Sequence, residues 1–283
     1  MRPTLFEFEL FGWTIAPPTY GFLLAAAFLM ALAVAVRQAR RAGVDSSTIT
    51  DLWIASLLSG VIGAKLLLYA LEIDYYIANP MAILTTLRSA GVFYGGLLGA
   101  IGVCVVIVYR RGLDGWLIAD VTAPALVLGH AIGRWGCFAS GCCYGIPTTL
   151  PWGVTFTQER AHEYTGVPLD EVLHPTQLYL SLANLALFPI LLMVATRKKF
   201  KGQVFLLYLI LYSILRGWIE SYRGDPRGEI AGLSTSQAIS IVTGLSAIAL
   251  YVWRSRHARM DKQDTPRPRN RRGRRGEATK PAG

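Results

Sequence analysis

The stretch that decides the fold is GWLIADVTAPALVLGHAIGRW, residues 115–135. It is apolar enough to be a membrane span, yet it carries Asp120, Pro124, His130 and Arg134. About 20 mostly apolar residues are needed to cross the hydrocarbon of a bilayer. Six less ambiguous stretches surround it, near 19–36, 52–72, 92–109, 176–195, 203–222 and 235–253. Basic residues arbitrate. Arg37, Arg40 and Arg41 follow the first stretch, Arg110 and Arg111 the third, Arg197, Lys198, Lys199 and Lys201 the fifth, and a basic tail the last. That alternation obeys the positive-inside rule only when 115–135 is counted. The expectation is an all-α polytopic membrane protein with seven transmembrane helices, N-terminus outside and C-terminus cytoplasmic.

Composition agrees. Of 283 residues, 53% are hydrophobic and 16% charged, which argues against a soluble globular domain. The net charge of +10 is concentrated at the end. Residues 254–283 hold eleven Lys/Arg against three Asp/Glu and contain PRPRNRRGRRG, which has no large apolar residue to seed a core. Two units follow: a transmembrane domain over 1–253 and a basic, disordered cytoplasmic tail over 254–283. The tail suits anionic lipid, and no aromatic residues are interleaved with its arginines as nucleic-acid binding would favour. Glu7 and Glu9 before the first span oppose a cleavable signal peptide, and Phe6–Trp13 reads as an external segment with Trp13 at the interface. Residues 137–174 form a small external cap between helices 4 and 5, in which WGVTF (152–156) suits a strand.

Ionisable residues inside a membrane cost about 2.5–3.5 kcal/mol each on insertion scales, so they point to function. Lys65, Asp120, His130, Arg134, Arg216 and Glu220 qualify. With the topology above, Tyr20, Lys65, Tyr94, Arg134, Arg216 and Glu220 fall in the outer half of the bilayer, and Asp120 near the inner end of the fourth helix. Tyr212, Arg216, Glu220 and Arg223 are spaced to share one helical face. A structural Arg216–Glu220 pair is the plainer reading, but two arginines exceed one carboxylate, and guanidinium forks suit phosphate. Glycines 129, 133, 136, 141 and 145 fit either close helix packing or exposure of backbone N–H groups to an anion. Cys137, Cys142 and Cys143 read as small packing residues or as a disulfide on an oxidising face. A metal site is not expected, since His130 and His162 stand in no recognised ligand spacing with them. Cys104 reads as core.

The same residues resemble the prolipoprotein diacylglyceryl transferase family over most of the chain. Tyr20-Gly21 opens the first helix, and Phe93-Tyr94-Gly95-Gly96 resembles the family's His-Gly-Gly stretch. GRWGCFASGCCYG (133–145) resembles G-R-x-G-N-F-x-N-G-E-x-x-G, with Asp120 upstream at the family's spacing. HPTQLY (174–179) and Arg216-x-x-x-Glu220-x-x-Arg223, followed by Asp225, resemble its later motifs. The chain departs from the pattern at Tyr94, where His is usual, and at Cys137 and Cys142, where Asn and Glu are usual. The resemblance implies transfer of diacylglycerol from phosphatidylglycerol to the lipobox cysteine of a prelipoprotein signal peptide, releasing glycerol 1-phosphate. It implies a bacterial inner-membrane monomer among membrane lipids, with its site at the outer leaflet, no cofactor or metal and no nucleic-acid partner. Tyr20, Tyr94, Arg216 and Glu220 are the expected catalytic residues. Arg134 and Arg223, with Gly136, Gly145, His174 and Gln177, are expected to bind substrate. Tyr94 is expected to hydrogen-bond the lipid, leaving proton handling to Glu220 or the departing phosphate. Two alternatives use the same residues: an anion transporter, or a divergent transferase or binding protein with another acceptor.

Overall fold

The computed structural model describes residues 4, 8–10, 13–15, 17–86, 91–226, 228–230 and 232–263. A hairpin of β1 (Phe8–Leu10) and β2 (Trp13–Ile15) leads into α1 (Thr19–Arg41) and α2 (Ser46–Leu71). Short helices α3 (Ile73–Ala78) and α4 (Ala82–Thr85) precede α5 (Phe93–Arg110) and α6 (Gly115–Ser140). The cap holds β3 (Val154–Thr155), α7 (Glu159–Thr165) and β4 (Val172–Leu173). It is followed by α8 (Thr176–Arg197), α9 (Gln203–Glu220), a β5 (Glu229–Ile230) and β6 (Leu233–Ser234) hairpin, and α10 (Thr235–Gln263). Among the described residues seven helices are long and apolar enough to cross a membrane, α1, α2, α5, α6, α8, α9 and α10. The last runs to Gln263, ten residues into the stretch read from sequence as tail. Residues 264–283, Glu7 and the Trp13 side chain lie outside what is described.

α6 is the hub, and its polar composition follows from that position. It packs on α1 along one side and on α8 and α9 along the other, while α10 packs on α9. Ala27, Ala31, Ala35 and Ala39 recur every fourth residue on the buried face of α1, and Gly129 of α6 sits opposite Ala31. Small residues on both helices let the backbones approach. Asp114 caps α6 by accepting from the N–H groups of Trp116 and Leu117, and Gly141, at φ 77°, ends it in a left-handed turn. α2 and α5 form a second close pair, in which a Cβ on Gly96 would lie 3.0 Å from the Gly60 carbonyl and one on Gly95 would run into that of Gly63. The glycines of the Phe93–Gly96 stretch therefore serve helix packing.

Asp120, 2% exposed, is a structural clamp. Its carboxylate accepts from Lys198 Nζ at 3.0 Å and from the backbone N–H groups of Gly202, Val204 and Phe205. It thereby caps α9 and fixes the α8–α9 turn. In the cap, β3 pairs with β4 where the sequence expects a strand, over a core of Tyr144, Phe156, Ala161, Val167 and Leu173.

Candidate functional site

The last turns of α6 set the site. His130 and Arg134 lie one turn apart on the same face. Arg134 donates to His130 Nε2 from Nε at 3.2 Å and from Nη2 at 3.1 Å. A guanidinium only donates, so Nε2 is the acceptor and the ring proton sits on Nδ1. Arg134 Nη1 lies 3.9 Å from Cys137 Sγ, and Tyr212 of α9 stacks beside His130 with ring centroids 5.1 Å apart. Among the described residues no carboxylate pairs with Arg134.

The other two arginines are committed. Arg216, buried, forms an ion pair with Glu220 and donates to Ser236 Oγ at 3.0 Å. Glu220 also accepts from Ser234 Oγ at 3.0 Å. Arg223 makes a two-point pair with Asp225, Nε to Oδ1 at 2.7 Å and Nη2 to Oδ2 at 2.8 Å. The sequence sets two arginines against one carboxylate. The structure adds Asp225 to that count and moves the surplus cation to Arg134. Ser234 and Ser236 carry no sequence signal of their own, because they reach α9 from the following hairpin and helix.

The junction of cap and bundle is backbone-built. Gly145 donates to the His174 carbonyl at 3.0 Å, Ile146 to that of Tyr222 at 2.9 Å, and Gly224 to that of Tyr144 at 3.1 Å. A Cβ on Gly145 would lie 2.5 Å from the His174 carbonyl oxygen, so that position admits only glycine. His174 meets the Tyr179 hydroxyl at 3.0 Å, and that hydroxyl also accepts from Trp152 Nε1 at 2.8 Å. Thr176 Oγ1 donates to the Cys143 carbonyl at 2.7 Å and Gln177 Nε2 to that of Cys142 at 2.8 Å. Gln177 Oε1 is buried with no donor among the described residues.

Tyr20 joins this group from α1, since a Cβ on Gly136 would approach its ring to 3.0 Å. Gly129, Gly136 and Gly145 are thus packing positions, whereas nothing lies within 4 Å of a Cβ built on Gly133. Tyr94 and Lys65 stand apart on the α2–α5 pair. Tyr94 is 41% exposed with its ring against Phe93, and Lys65 donates to the Thr86 carbonyl at 2.5 Å. An apolar groove of about 670 Å³ opens between α1, α2 and α6. Leu24, Phe28, Trp53, Leu57, Leu126 and His130 are among the residues that line it.

The family model described as prolipoprotein diacylglyceryl transferase matches residues 7–253. A Clostridium tetani phosphatidylglycerol–prolipoprotein diacylglyceryl transferase is 37% identical over 253 residues, 89% of this chain and 97% of the relative. Its namesake from Finegoldia magna is 35% identical over 246 residues, 87% and 93%. One from Synechococcus elongatus is 34% identical over 244 residues, 83% and 82%.

Proposed function

Because the chain belongs to the prolipoprotein diacylglyceryl transferase family, we infer that it moves the diacylglyceryl group of phosphatidylglycerol onto a prolipoprotein cysteine thiol, releasing glycerol 1-phosphate. The observation that carries the reading is Arg134, a guanidinium with no carboxylate partner among the described residues, bonded to the His130 that lines an apolar groove. The groove takes an acyl chain, and Arg134 exchanges His130 for the lipid phosphate, which binds a guanidinium fork through charge-assisted hydrogen bonds. Arg216 and Arg223 are each held by a carboxylate of their own, which leaves Arg134 as the cation for the phosphate.

In the reaction the acceptor sulfur forms a bond to the glyceryl carbon as the carbon–oxygen bond to phosphate breaks. Positive charge at the phosphate stabilises the leaving group as it forms. The thiol proton goes to His130 Nε2, which Arg134 uncovers when it turns to phosphate, and passes from there to the departing phosphate. Glu220, committed to Arg216 and Ser234, positions the arginine. Tyr20 and the Gln177 Oε1 acceptor contact the polar part of the lipid. Tyr94, on the neighbouring pair of helices, contributes a hydrogen bond to the same headgroup. Gly136 gives Tyr20 its space, and Gly145 and His174 hold the cap over the site.

The basic clusters at one end of the bundle support a cytoplasmic placement of that end. The cap and Arg134 then face the outer leaflet of the bacterial inner membrane, where a lipid donor meets an exported signal peptide. Transport of an anion would need a polar path through to Asp120, and Asp120 is spent on Lys198 and the α9 N-terminus. The test is direct. Protein in detergent, given phosphatidylglycerol and a lipobox peptide, should yield thioether-linked diacylglyceryl peptide and glycerol phosphate in equal amounts. Folded protein that yields neither would refute the reading.

A further inference from the structure

Cys137, Cys142 and Cys143 stand apart from the arginine and lipid assignments. Their three sulfur atoms all lie within 4.8 Å of one another, and all are free thiols. The arrangement is built by backbone geometry. Cys137 projects from the last turn of α6, and Gly141 reverses the chain so that Cys142 N–H returns to the Cys137 carbonyl at 3.1 Å. Cys143 then adopts φ 64°, a left-handed conformation that side chains other than glycine rarely take. Thr176 and Gln177, at the start of α8, grip the carbonyls of Cys143 and Cys142 and hold that turn. A strained residue clamped from a second helix marks a site whose shape is over-determined.

We propose that Cys137, Cys142 and Cys143 form a three-thiolate site for a thiophilic divalent cation of the zinc type, with its fourth position left to an exogenous donor. The geometry fits. Three points no more than 4.8 Å apart always share a point within about 2.8 Å of each, so a zinc–sulfur bond of about 2.3 Å needs each sulfur to move in by roughly 0.5 Å. A disulfide instead needs one pair to close to about 2.05 Å and leaves the third sulfur without a role. The charges fit as well. With all three thiols ionised, Arg134 and the Arg223–Asp225 pair leave a double negative charge, which one divalent ion cancels. Soft thiolates select ions of this class over the hard alkaline-earth cations.

Spacing alone predicts no metal because no histidine is suitably placed, and both candidate rings are occupied. His130 Nε2 accepts from Arg134, and His162 Nδ1 bonds the Val167 carbonyl at 2.8 Å. Three protein ligands without a fourth is the pattern of zinc sites that keep one position open for an incoming group.

The test uses full-length protein, purified in detergent with reductant and exposed to zinc before gel filtration. Metal content should be one zinc per chain. Cadmium titration should give a sulfur-to-metal charge-transfer band that saturates at one equivalent. Cys137→Ser, Cys142→Ser and Cys143→Ser should each weaken binding by at least about tenfold, while Cys104→Ser leaves it unchanged. Circular dichroism checks that each variant keeps its helices. Less than about a tenth of an equivalent of zinc on protein whose thiols all alkylate would overturn the site. So would undiminished binding by the triple serine variant, or recovery of two of these sulfurs as a disulfide from metal-free protein prepared with reductant.

Discussion

Arg134 directs two donors, Nε and Nη2, at a single acceptor, Nε2 of His130, at 3.2 and 3.1 Å. A neutral ring nitrogen satisfies a guanidinium less completely than a carboxylate does, since it offers one lone pair and no opposite charge where a carboxylate offers two anionic oxygens. Arg216 and Arg223 have their carboxylates, so an incoming phosphate competes with the weakest partner at Arg134.

Arg134→Lys should therefore be severe although it preserves charge. An ammonium is a point donor and cannot span two phosphate oxygens as a fork does. Loss of kcat/KM by about 10²–10³ is expected, on the scale of removing one donor from a transition-state site. Steady-state transfer to a lipobox peptide measures it, with the melting temperature reporting fold. Activity within twofold of wild type would remove Arg134 from the phosphate.

His130→Asn separates the two jobs of the imidazole. Asparagine can still accept a hydrogen bond from Arg134 but takes no proton near neutral pH. If His130 is the base, kcat should fall by about 10²–10⁴ while the KM for phosphatidylglycerol changes little. An unchanged kcat with a raised KM would leave the ring only its positioning contact.

The seven spans and the intramembrane charge at Arg134 are legible in the sequence, because burying charge in hydrocarbon is costly enough to leave a signal in composition. The identity of the surplus cation is not. It depends on Asp225 folding back onto Arg223 just beyond α9, a loop geometry with no periodicity. Asp120 carries the same intramembrane signal as Arg134 yet proves to be a cap, because composition records the cost of burial and not which backbone groups offset it. The cysteine triangle is hidden for a similar reason. It exists through a left-handed Cys143 and two carbonyl bonds from α8, none of which follows from spacing.

Glycines on one motif should respond in opposite ways. Gly145→Ala forces a Cβ to 2.5 Å from the His174 carbonyl and 2.7 Å from that of Tyr222. Since these are backbone atoms, the strain should cost about 1–3 kcal/mol. Gly133→Ala meets nothing within 4 Å and gains about 0.5–1 kcal/mol of helix preference. Thermal melts in one detergent should place the two variants on opposite sides of wild type.

Glu220→Gln removes one member of a buried pair and leaves Arg216 charged without a counter-ion. Breaking such pairs from one side costs about 3–5 kcal/mol, so the melting temperature and the activity should fall together. Combining Glu220→Gln with Arg216→Met should recover stability without activity. Retained stability in the single variant would show that solvent already compensates Arg216.

Acid should weaken the cap at the far end of α6. Lys201 donates to Asp114 at 2.6 Å, and the N–H groups of Leu117 and Trp116 add to it, holding the carboxyl below its usual range. A carboxyl depressed by folding stabilises the protein above its unfolded pKa, and that contribution is lost as pH falls through the folded value. Asn is an equally good N-cap but carries no charge. Asp114→Asn should thus lower stability by about 0.3–1 kcal/mol at neutral pH, the scale of a carboxylate at a helix N-terminus. The gap in melting temperature between wild type and variant should stay constant above about pH 5 and close below about pH 4, as wild type loses its advantage. A gap that persists unchanged into acid would mean that the carboxylate charge at Asp114 contributes nothing and that the cap acts through hydrogen bonds alone.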